Sequence, residues 1–209
     1  MKKILLVSLV MLLAVSVAFS QFGIKGGINL GTFGGADKSY GGVDPTNRLG
    51  IAGGISYRIG LIAGLSIQPE VMYLQKGAIY EPNTGDIYVT QKITFTSSYI
   101  DIPVLVKFNL PIPVFSPYIE GGVSYGILLS AKYKDEINSN DPNHPSSSDE
   151  TDIKDDVTKN DLSIVVGVGF DLSILDIDAR YMIGTTKLYK DSDAKVFNRG
   201  IILTAGLRF

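Results

Sequence analysis

The residues best equipped for chemistry in this chain of 209 residues gather around its single histidine, in Asp141-Pro142-Asn143-His144-Pro145-Ser146-Ser147-Ser148. Serine, histidine and carboxylate are the parts of a nucleophilic triad, but such a triad works only when base and nucleophile are held in fixed hydrogen-bond geometry. A loop rich in proline and serine supplies no such frame. The stretch therefore reads as solvated loop and the chain as a non-enzyme. The absence of cysteine removes thiolate catalysis, disulfides and thiolate metal sites together.

Three further groupings invite a chemical reading. Carboxylates crowd the same region: Asp135, Glu136, Asp141, Asp149, Glu150, Asp152, Asp155 and Asp156. Hard oxygen ligands of this kind suit Ca²⁺, but the ligand spacing of a calcium loop is missing. A self-repelling solvated loop is expected, with no metal and no cofactor. Glycines from Gly23 to Gly27, with Gly31, imitate a phosphate cradle, yet they lie on a strand pattern with no helix after it. The third grouping is a set of charges of both signs, Lys25, Arg58, Glu70, Asp101, Lys107, Glu120, Asp171, Asp178, Arg180 and Arg208, which recur at every second position among apolar residues. Ion pairs inside a closed structure, or the lining of a narrow gate, are the two roles open to them. With a formal net charge of −2 there is no basic surface for nucleic acid.

The elements that must position these charges are strands. Lys2 and Lys3, the apolar run from Ile4 to Phe19 and the small residues of Ala18-Phe19-Ser20 form a secretory signal over residues 1–20, with cleavage expected near Gln21. Beyond it no apolar run is long enough for a spanning helix, so entry into a membrane must use strands. Period-two alternation marks eight of them, near 21–32, 48–59, 64–76, 91–109, 114–133, 161–172, 175–184 and 201–209. Connections alternate long and short. The fold class expected for residues 21–209 is all-β: an eight-stranded antiparallel up-and-down transmembrane barrel with both termini on the short-turn side.

Alternation alone also fits a soluble barrel with an apolar interior. The choice rests on size, charge and aromatic placement. The polar face is also the small one, carrying Gly27, Gly54, Gly122, Gly126, Gly167, Gly169, Gly184 and Gly206. Eight strands leave an interior just wide enough for side chains, so the small face points in. The mixed charges share that face and can pair there. On the apolar face Phe22, Tyr57, Phe108, Phe115, Phe170 and Phe209 fall near the short-turn end, as an interface girdle would; Tyr73, Tyr125, Tyr133, Tyr181 and Phe197 fall near the other end.

The segments Gly23-Ile24-Lys25-Gly26-Gly27-Ile28-Asn29, Tyr99-Ile100-Asp101-Ile102-Pro103-Val104-Leu105-Val106-Lys107 and Gly206-Leu207-Arg208-Phe209 resemble the outer membrane protein beta-barrel domain family, the PorT-like barrels common in Bacteroidetes and relatives. That resemblance implies location in the outer membrane, in contact with its lipid, and a role that varies between members, some of which belong to a protein secretion system. The function expected is a non-enzymatic barrel that is structural or binds a protein partner through its long loops. A narrow pore or transport accessory, and a soluble periplasmic ligand-binding barrel, are the alternatives.

Overall fold

A computed structural model describes residues 21–62, 64–82, 89–110, 112, 115–139, 145–190 and 193–209. The signal segment and His144 lie outside these residues. Among these residues there are ten strands: β1 (Phe22–Gly34), β2 (Thr46–Tyr57), β3 (Ile59–Gly60), β4 (Leu65–Tyr80), β5 (Val89–Asn109), β6 (Ser116–Ser139), β7 (Ser147–Asp152), β8 (Asn160–Leu172), β9 (Leu175–Gly184) and β10 (Phe197–Arg208).

Eight of them close into a ring. Antiparallel pairing runs β2-β1-β10-β9-β8-β6-β5-β4, and β4 returns to β2. Closure pairs each ring strand on both sides, which is what lets strands cross hydrocarbon where no water can satisfy the backbone. β3 continues β2 beyond Arg58 and stays on β4. β7 lies outside the ring and pairs only with the far end of β6.

Side-chain direction follows the period. Ile24, Ile28, Leu49, Ile51, Ile55, Val71, Ile102, Val104, Val106, Ile119, Val123, Ile164, Val166, Val168, Ile201 and Leu203 are exposed, whereas Lys25, Glu70, Asp101, Lys107, Glu120, Asp178 and Arg180 are buried. Such an inverted distribution, with aliphatics outside and ions inside, fits an apolar solvent around the barrel.

Strands extend further at the long-loop end than periodicity suggests. The span 134–159, expected to be open loop, holds the end of β6 and all of β7, which form a hairpin above the ring. Some of its charges are paired locally. Lys132 pairs with Glu150 and Lys134 with Glu136, Gln91 donates to both Asp135 oxygens, and the Lys154 N–H bonds to Asp152. Where β6 and β7 pair, ladder hydrogen bonds take the place of the expected open loop.

Irregularities also sit elsewhere than expected. At Pro69 the β4–β5 ladder lapses until Met72 with no change of register. Bulges occur instead between Asn47 and Ala52 of β2 and opposite Ser98 and Tyr99, where β6 carries an extra residue at Leu129. That second bulge reverses which parity of β6 faces inward. Tyr133, expected in the outer girdle, packs against Phe95 with ring centroids 5.1 Å apart, alongside an interior cluster.

Ile164 lies on the exposed face of β8. An Ile164→Arg change at this depth is expected to cost about 2–4 kcal/mol of stability in lipid. Reversible urea unfolding in phospholipid vesicles measures it, and an unchanged free energy would contradict the face assignment.

Candidate functional site

The interior is layered. Toward the short turns lies a network of ten charges: Lys25, Arg58, Lys107, Arg180 and Arg208 with Glu70, Glu120, Asp171, Asp176 and Asp178. Equal numbers of cations and anions make it neutral, the condition under which burial of ions is tolerable. Arg180 is its hub. The guanidinium grips Glu70 through two bonds of 2.6 and 2.9 Å, reaches Glu120 Oε1 at 2.7 Å, and pairs with Asp178 Oδ1 at 3.0 Å. A planar fork suits this double contact; a lysine would offer one point of charge.

Around the hub, Lys25 bonds to Asp178 and lies 2.9 Å from Asp176 Oδ1. Lys107 Nζ is 3.2 Å from Asp176 Oδ2, 3.6 Å from Glu120 Oε2, and 3.6 Å from the centre of the Tyr118 ring. Arg58 joins Asp171 at 2.6 Å, Asp176 at 2.8 Å and Gln68 Oε1 at 3.0 Å. Arg208, nearer the mouth, reaches Asp171 Oδ1 at 3.1 Å. Gln68, Thr204, Asn109 and Tyr118 add neutral donors to Glu70, Asp178, Asp171 and Asp176. Tyr118 fits because Gly169 faces it, where a Cβ would strike the phenol.

Next comes an apolar belt of Ala52, Met72, Leu74, Leu105, Val165, Met182 and Ile202. A void of about 20 Å³ remains there, between Arg180 on one side and Asp101 on the other. Above the belt lies a smaller polar set. Lys76 bonds to Asp101 Oδ1 at 3.1 Å and Asp161 Oδ2 at 2.8 Å and stands 4.6 Å above the Tyr99 ring; Ser124 and Asn198 donate to the same carboxylates.

The long-loop end is closed by packed rings and aliphatics. Phe33, Tyr80, Phe95, Ile93, Leu128, Val157, Leu188 and Val196 form one cluster, and Tyr40 packs at a tilt against Tyr80, with ring centroids 5.8 Å apart. The Tyr80 hydroxyl donates to the Lys38 carbonyl at 2.6 Å, which ties the first loop over the cluster. In that loop Lys38 and Ser39 donate to Asp44 and hold its carboxyl below the usual range.

Nine of the ten charges singled out by period thus join one network, and Asp101 belongs to the separate set above. Lys76, Asp161 and Asp176 complete the two sets. Their signal was parity alone: Asp176 alternates with Asp178 and Arg180, Lys76 with Glu70, Asp161 with Asp171. Of the aromatics, Phe108, Phe115 and Phe209 are exposed and Phe22, Tyr57 and Phe170 half-buried. Phe115 packs on Phe170 at 5.4 Å, Phe22 pairs with Tyr57 across β1 and β2, and the Phe209 N–H bonds to the Phe22 carbonyl, so all six share the short-turn end. Among the described residues no three acidic groups are arranged to hold a metal ion.

In sequence, residues 16–190 match the profile of a known family, described as "Outer membrane protein beta-barrel domain". The chain belongs to this family. It is an outer-membrane protein, and its exposed aliphatic face meets lipid. Among solved structures it is similar to the Ail protein of Yersinia pestis, with 17% identity over 91% of this chain and 99% of that one at a TM-score of 0.42. Neisserial surface protein A shares 12% identity over 90% and 97%, TM-score 0.43. The N-terminal barrel domain of Pseudomonas aeruginosa OprF shares 11% over 91% and 98%, TM-score 0.34. No curated protein matches the chain in sequence.

Removing the hub tests the network. Arg180→Met would leave Glu70, Glu120 and Asp178 short of a cation and should destabilise the barrel by about 3–5 kcal/mol. Adding Glu70→Gln should recover part of that loss. Urea unfolding in vesicles separates the outcomes, and an Arg180→Met barrel as stable as the wild type would mean that the ion pairs are dispensable.

Proposed function

We propose that this protein is a non-enzymatic barrel whose sealed body is a rigid scaffold and whose long-loop end, outside the cell, engages a protein partner. The filling of the lumen carries the reading. A balanced ion network, an apolar belt, a second polar set and an aromatic cluster follow one another, and the void between the two polar sets, about 20 Å³, has room for about one water molecule. A solute would have to break many buried ion pairs to pass. A gating role for the inward charges therefore has little support, and the ten serve the wall from within.

Partner binding falls to the far rim. There β5, β6 and β7 rise past the ring and offer paired strands with exposed acidic and serine side chains, Ser147 to Asp152. Loops and hairpins on a fixed scaffold are where binding residues concentrate. We read the six short-turn aromatics as the periplasmic interface girdle. The mature chain in this reading begins near Gln21, a view supported by β1 starting at Phe22. Within the family we align it with the PorT-like barrels on the strength of its first strand, the Tyr99 to Lys107 segment and its last four residues.

Two measurements bear on this. In planar bilayers the purified barrel is expected to be silent, and unitary conductance lost on neutralising Arg180 would replace the scaffold reading with a pore. Exchanging residues 136–150 for a tight turn should leave the heat-dependent gel shift of a folded barrel intact while abolishing co-purification of any stoichiometric partner. A partner retained by the shortened barrel would move the binding surface elsewhere.

A further inference from the structure

The barrel wall opens between β2 and β4. Between Asn47 and Ala52 the β2–β4 ladder lapses, so β2 residues 48–51 and β4 residues 75–77 are not paired with one another. Three strands meet there through glycine. A Cβ on Gly31 of β1 would lie 2.9 Å from the Gly77 carbonyl oxygen of β4, and one on Gly50 of β2 would collide with Gln75. With the ladder open, the Gln75 carbonyl is taken instead by the Asn29 side chain, at 2.8 Å.

Arg48 lies in this seam. Its Cδ passes 3.3 Å from where a Gly77 Cβ would be, and its Nη1 is 3.2 Å from the same point on Gly50, so the missing side chains make its bed. The residue is partly exposed, yet Nη1 is buried and has no hydrogen-bond partner. No carboxylate pairs with it, and among the described residues the only titratable side chain acting on it is the Tyr73 phenol. Every cation of the lumenal network has an acid; this one has none. A half-buried guanidinium left so is costly unless an anion completes it.

Depth identifies the anion. On β2 the lipid-facing run Ile55, Ile51, Leu49 ends beside Arg48; on β4 Val71 and Tyr73 give way to Gln75, and on β5 Ile102 and Ile100 give way to Ser98 and Thr96. Arg48 thus stands where hydrocarbon passes into headgroups on the long-loop side. Polar groups flank the spot: Tyr73 donates to Ser98 at 2.9 Å and Gln75 donates to Tyr73 at 3.2 Å. We infer that Arg48, at the glycine-lined seam between β2 and β4, binds the phosphate of an anionic lipid headgroup in the surrounding leaflet, with Gln75 and Tyr73 beside it. A guanidinium edge matches phosphate oxygens in two parallel bonds.

The test is native mass spectrometry of the detergent-purified barrel titrated with phosphatidylglycerol, phosphatidylcholine and inorganic phosphate. The wild type is expected to carry one phosphatidylglycerol, held about tenfold more tightly than by Arg48→Gln, with Arg48→Lys in between. Lys132→Gln, which removes an exposed cation that already has Glu150 as its partner, should bind as the wild type does. Retention of the heat-dependent gel shift checks that each variant is folded. Equal losses from Arg48→Gln and Lys132→Gln would reduce the effect to general surface charge and overturn the site. Binding of inorganic phosphate with no preference for the lipid, or of phosphatidylcholine as tightly as phosphatidylglycerol, would overturn the assignment to an anionic headgroup.

Discussion

Closure is the constraint on which everything else depends. A sheet that must cross hydrocarbon can leave no edge unpaired, and eight strands meet that demand only by wrapping around an interior the width of side chains. Water and lipid are both largely kept out of such a space. Whatever points inward has to be satisfied by its neighbours, which explains why the carboxylates of one strand face the guanidinium and ammonium groups of others around the ring.

Neutrality then becomes a matter of position rather than of total charge. Five cations and five anions balance at the short-turn end. Their geometry depends on gaps as much as on contacts: Gly169 leaves space for Tyr118, whose ring lies beneath the Lys107 ammonium. Glycine on the inner face is therefore a packing device that lets long charged side chains cross the lumen. Where charges do not cancel locally, as at Arg48 in the wall, the compensation has to come from outside the protein.

Departures from regular strand geometry gather at the long-loop end. Both bulges lie in that half, one opening the seam on β2 and the other reversing the parity of β6. Bulges commonly occur at barrel rims, where they re-aim side chains. Here the result is a rim sealed by inward-turned aromatics and extended by a hairpin, so the surface most available to a partner is joined to a packed plug.

Strand number, strand order and the two faces were legible in the sequence because period two forces alternate residues to opposite sides, and because small and charged residues kept one parity while aliphatics kept the other. Lys25, Glu70 and Arg180 can be placed inside from spacing alone. Which acid meets which base could not be read, since Arg180 and Glu70 are 110 positions apart and meet only through the stagger of the closed ring. Tyr133 was misplaced by its period because a single extra residue at Leu129 shifts parity without leaving a mark in composition. The hairpin of β7 was hidden for another reason: Ser-Ser-Asp-Glu-Thr-Asp has the composition of a loop, and only pairing with β6 makes it a strand. Alternation is a local property and is written along the chain; register, bulges and ion partners are relations between strands, and closure of the ring decides them.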